Sequence, residues 1–133
     1  MSTTIDIVEL TLPFKAEYVS SARLVASGIA SRIGFDIETI EDIKVAVAEV
    51  CNKLVKTGSG LAESYKIIYE VSNDNMNIVF DCEDKSLRCI FSGDENEFGL
   101  SIINALMDGV ELCTDNYILS ISKGLEGKGK NER

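Results

Sequence analysis

Histidine and tryptophan are absent from this sequence of 133 residues, and proline occurs once, at Pro13. Without histidine, no imidazole can activate a serine or cysteine nucleophile. A structural zinc site would have to gather all four cysteines, Cys51, Cys82, Cys89 and Cys113, which are widely scattered and form no C-x-x-C pair. The expectation is instead buried thiols used as small hydrophobes in a reducing compartment. Any chemistry must then be carried by carboxylates and lysines.

Positive charge is also scarce. Thirteen Lys and Arg stand against 22 Asp and Glu, for a net charge of −9. That balance lacks the basic footprint a nucleic-acid binder needs and argues against docking on anionic membranes. The acidity reads most simply as solubility. No apolar run approaches the ~20 residues of a spanning helix, and no basic leader precedes an apolar segment, so a cytoplasmic protein is expected. With 45% hydrophobic content, residues 1–124 are expected to form a single domain. The polar, glycine-containing tail, residues 125–133, is expected to be mobile.

What is present centres on Ile37 to Thr57. At ~100° per residue, Ile40, Ile43, Val47, Val50, Cys51 and Leu54 fall on one apolar stripe, which marks a helix lying on a core. The other side carries the small apolar residues Val45, Ala46 and Ala48 around Glu49, with Asn52 and Lys53 flanking it. A carboxylate on a semi-apolar second face predicts a helix covered on both sides, by its own core and by something that can be bound.

Along the chain, Ile5 to Pro13 reads as a strand ended by proline, suited to an edge. Glu17 to Ile33 is helical in spacing and Gly34 is its stop signal. Within it, Arg23 sits among Ala22, Leu24 and Val25; it is either a snorkelling surface side chain or an anchor for an acidic partner. Asp36 and Glu38 place negative charge at the start of the organising helix. Tyr65 to Ser72 and Met76 to Cys82 form a hairpin across Asn73–Asn75, with Met76, Ile78, Phe80 and Cys82 on one side of the second strand. Phe98 to Met107 is helical. Val110 to Cys113 and Tyr117 to Ser122 make a second hairpin. Strand, two helices, two strands, helix, two strands predicts an α+β two-layer sandwich, with helices on one face of a mixed, mostly antiparallel sheet. Glu49 would face the groove between the helical layer and the loops.

The order of elements, with SARLVASGIASRIGF (Ser21–Phe35), IEDIKVAVAEVCNKLV (Ile40–Val55), FGLSIINALMDGVEL (Phe98–Leu112) and ILSISKGL (Ile118–Leu125), resembles the anti-sigma factor serine kinases of bacterial partner-switching modules. These belong to the GHKL, or Bergerat-fold, ATPases. The likeness covers residues 5 to 124. It implies an ATP and magnesium pocket between sheet and helices, and a homodimer built partly through the first strand. It also implies sequestration of a sigma factor and phosphorylation of a serine on an anti-anti-sigma protein.

Carried over residue by residue, the resemblance implies a site that departs from the family's pattern. The family's Glu-x-x-x-Asn keeps its glutamate as Glu49, the implied general base. The metal-binding asparagine position is Lys53, and the nearest asparagine is Asn52, ~100° away around the helix. Lys53 has two readings: an i, i+4 ion pair with Glu49, or an ammonium standing where the metal would be. The Asp-x-Gly-x-Gly that recognises adenine becomes either Asp81 with Glu83 and Lys85, or Cys82 with Asp84 and Ser86. Period two sends Asp81 and Cys82 to opposite faces, and the sequence does not decide which looks into the pocket. In the third motif only Gly99 is kept, Glu97 is a repulsive neighbour for phosphates, and the lid is short. Asn116 and Tyr117 replace a Gly-Thr. The cofactor-facing candidates are therefore Asn52, Lys53, Asp81, Asp84 and Gly99, with Arg23 matching the family's partner-facing arginine.

The reading that follows is a regulator resembling an anti-sigma factor, which holds a sigma factor or an anti-anti-sigma partner with ATP binding and phosphoryl transfer weak or lost. The alternative is an active ATP-dependent serine kinase with Glu49 as base. A more remote reading is a small-molecule sensor reusing the pocket.

Overall fold

The computed structural model describes residues 4–87, 90–91, 98–112 and 117–125. Among these, β1 (Asp6–Pro13) is followed by α1 (Val19–Ile33), α2 (Ile37–Gly58), β2 (Ser64–Val71), β3 (Asn75–Asp81), α3 (Phe98–Leu106), β4 (Gly109–Leu112) and β5 (Leu119–Gly124). The architecture is the expected α+β two-layer sandwich. The sheet order is β1-β2-β3-β5-β4, and every pairing is antiparallel. Chain direction explains this refinement of the mixed sheet expected from sequence. Two helices between β1 and β2 return the chain antiparallel, and β5 inserts between β3 and β4, which one helix alone would have left as parallel neighbours.

The helix predicted from Glu17 starts as a 3-10 turn, Ala16–Tyr18, in which Tyr18 N donates to Lys15 O at 3.1 Å, and becomes α-helical at Val19. Gly34 ends α1 with φ of 109°, and the Phe35 N–H donates back to Ala30 O at 3.2 Å, a closure that favours glycine. Asp36 then caps α2, its Oδ1 accepting from Thr39 N at 2.8 Å. That bond holds the Asp36 carboxyl below the usual carboxylate range.

Alternation along the strands separates two sheet faces. Tyr65, Ile67, Tyr69, Met76, Ile78, Phe80, Leu119 and Ile121 are buried beneath the helices. They meet Ala22, Ala26 and Ala30 of α1, Ile43, Val47, Val50 and Leu54 of α2, and Ile103 of α3 in one core. The alanines let α1 lie close enough for Tyr69 Oη to donate to Ala22 O at 3.1 Å. The opposite face carries Glu9, Thr11, Lys66, Glu70, Asn77 and Asp81, none of them buried. β1 lies at one edge, as its proline suggested.

Candidate functional site

The candidate residues fall into two groups. On α2, Glu49 and Lys53 are half-buried and Asn52 is exposed. The helix packs between α1 and α3, and Ala46, on the small-residue side, is fully buried while Ala48 is half-buried and Val45 exposed. Gly99 opens α3 as a half-buried residue, one helix away. Most of the short lid segment, residues 88–89 and 92–97 with Glu97 among them, lies outside the described residues, as does Asn116. Tyr117 Oη donates to Glu111 Oε1 at 2.7 Å.

The second group lies where β3 ends. Asp81 stands opposite Lys66, and Lys66 opposite Thr11, so these three share the face turned away from the helices. Cys82 takes the helix-facing position. It is 7% exposed, and its thiol donates to Ser64 O at 3.6 Å. Burial pushes that thiol up from its ordinary value, aided by the carboxylates of Asp84, Asp81 and Glu83 and opposed by a backbone hydrogen bond from Asp84. The face left open by alternation is thereby resolved: the carboxylate of Asp81 points outward and the thiol inward. The signal was already in the sequence, because Cys82 shares parity with Met76, Ile78 and Phe80.

Beyond Cys82 the chain turns tightly. Asp84 Oδ1 accepts from Ser86 N at 2.9 Å and from Ser86 Oγ at 2.7 Å, which holds the Asp84 carboxyl below its usual range. Leu87 N donates to Asp84 O at 3.1 Å, and the Leu87 side chain is fully buried. An open pocket of about 760 Å³ lies at this end of the sheet, lined in part by Thr11, Lys66, Asp81, Cys82 and Asp84. Glu49, Asn52, Lys53 and Gly99 do not line it, so the structure joins Asp81 and Asp84 in one cavity and places the α2 candidates outside it.

Two further polar features lie in the helical layer. Arg23 on α1 is half-buried, and its Nε is buried without a hydrogen-bond partner among the described residues. Beside it Leu24 is 70% exposed. Behind α2, Cys51 is buried as a free thiol and burial pushes it up to about 12. The neighbouring Tyr65 hydroxyl, also raised chiefly by burial, meets no partner at bonding geometry. These groups belong to the core and are chemically quiet. No helix among the described residues is long and apolar enough to cross a membrane.

A family model described as a histidine kinase-like ATPase domain matches residues 12–122. The chain is 32% identical over 137 residues to the serine-protein kinase RsbW of Halalkalibacterium halodurans, an alignment covering 91% of this chain and 85% of that one. Against RsbW of Bacillus pumilus it is 33% identical, covering 89% and 85%. Against RsbW of Listeria monocytogenes serovar 1/2a the identity is 37%, covering 89% and 86%. With the two-layer fold and the Glu49-bearing helix, these matches place the chain in the histidine kinase-like ATPase domain family, beside the serine-protein kinases named RsbW.

Proposed function

We propose that this chain is a partner-switching regulator of the anti-sigma type, which holds a sigma factor or its anti-anti-sigma antagonist in the cytoplasm with phosphoryl transfer weak or lost. The observation that carries the binding reading is Arg23. A guanidinium whose Nε is buried and has no partner among the described residues, next to an exposed leucine, is stabilised when a carboxylate arrives and completes its hydrogen bonds. The net charge of −9 favours a protein partner over nucleic acid. A homodimer through β1 belongs to the same reading, since Ile5, Ile7 and Val8 are exposed along that edge.

Magnesium and ATP fit this chain poorly. The i+4 position from Glu49 is Lys53, a cation where a metal ligand would stand, and Asn52 projects to solvent. Titration calorimetry against a candidate sigma factor and a candidate anti-anti-sigma protein tests the reading. Arg23→Ala is expected to weaken binding about 10- to 100-fold with an unchanged melting temperature, and Arg23→Lys to restore little of it, because the fork geometry is lost. Stoichiometric transfer of labelled phosphate from Mg-ATP to a serine of the antagonist would instead favour an active kinase with Glu49 as base.

A further inference from the structure

The helix-facing end of β3 is where the described residues depart most sharply from a base-binding site. A purine amino group needs an acceptor there, and the group present is Cys82, whose thiol is buried and already donates to Ser64 O at 3.6 Å. Sulfur is at best a weak acceptor. The nearest strand carboxylate, Asp81, lies on the opposite face with Lys66 and Thr11. The next turn carries side chains throughout, with Asp84 and Ser86 bonding to each other across it, so no glycine brings bare backbone against a flat ring.

We infer that Cys82, with the Asp84–Ser86 turn behind it, closes the base end of the nucleotide site, so that partner exchange in this protein is insensitive to Mg-ATP and Mg-ADP. The inference rests on the partner-binding reading above and assigns its regulation: partners compete for the protein without a nucleotide cycle.

The test begins with the wild-type chain alone. Thermal melts in millimolar Mg-ATP and Mg-ADP are expected to match those in magnesium alone; a rise of several degrees would overturn the inference, because a ligand bound well below its concentration stabilises the fold. Iodoacetamide labelling read at Cys82 by mass spectrometry is expected to change less than twofold on adding Mg-ATP, whereas tenfold protection would overturn it. The triple variant Cys82→Asp, Asp84→Gly, Ser86→Gly, if folded by circular dichroism, is expected to gain at least tenfold in Mg-ATP affinity. A folded variant without that gain removes Cys82 and its turn from the explanation, and an unfolded one leaves the two wild-type measurements to decide. Calorimetry with the partner separates the two proposals: binding that shifts with Mg-ATP sinks the inference and leaves the regulator standing, whereas a nucleotide-blind chain that binds no partner sinks the regulator.

Discussion

A methyl group at Gly58, built on the last residue of α2, would lie 2.5 Å from Phe14 Cε1, 2.9 Å from Phe14 Cδ1 and 3.1 Å from Leu87 Cδ1. The Phe14 ring cannot simply swing aside, because it is 6% exposed and packs on Tyr65 at a centroid distance of 4.9 Å. Helix propensity alone favours alanine over glycine by about 1 kcal/mol, while overpacking of a filled core costs about 1–3 kcal/mol. Gly58→Ala is therefore expected to destabilise the protein by up to about 2 kcal/mol, read as a lowered urea midpoint at constant m-value. An unchanged or raised midpoint would show that the Phe14–Leu87 contact yields freely. The same scale shows what was legible residue by residue. The inward face of Cys82 followed from its parity with Met76, Ile78 and Phe80, although matching it to a motif obscured that. The contact that excludes a side chain at Gly58 joins residues 14, 58 and 87, and no local pattern could announce it.

Helix boundaries were largely readable because their causes are local. The α2 start follows from Asp36 and its bond to Thr39, and the end of α1 from Gly34 in the left-handed region. Both hairpins followed from alternation and turn residues. Strand neighbours were not readable, because periodicity reports faces and says nothing of which strand lies beside which; β5 between β3 and β4 is decided by the packing of the whole sheet. Attachment of the helical layer was equally hidden. The Tyr69 hydroxyl spans 47 residues of sequence to donate to Ala22 O on α1, and Tyr69 is fully buried. Tyr69→Phe keeps the ring and removes the bond, leaving a helix carbonyl that already serves the α1 ladder. The expected loss is about 1 kcal/mol by chemical denaturation, with α1 amides exchanging faster than those of β3. Equal acceleration in both elements would mean that the bond serves global stability and does not tether α1 in particular.

At the scale of the whole molecule, the helical layer covers one sheet face, while β1 ends the sheet with an edge that no other described strand pairs. Ile5 and Ile7 remain 57% and 54% exposed there and Val8 39%, an arrangement that monomeric proteins usually blunt with charge or cover. Asp6 and Glu9 flank the apolar residues, so a second copy meets both apolar surface and like charge. Two chains of net charge −9 repel at long range, and salt shortens that range to about 8–10 Å at physiological ionic strength. Burial of the isoleucines gains about 25 cal/mol per Å² and hardly depends on ionic strength. If β1 is the dimer contact, self-association should tighten as salt is raised, the reverse of an interface built on ion pairs. Sedimentation equilibrium checks this directly: the wild type is expected as a dimer whose Kd falls from low to moderate salt, and Ile7→Lys as a monomer with an unchanged circular dichroism spectrum. A dimer indifferent to Ile7→Lys would move the contact elsewhere, and one that weakens with salt would give the association to charge, against the acidic balance of the chain.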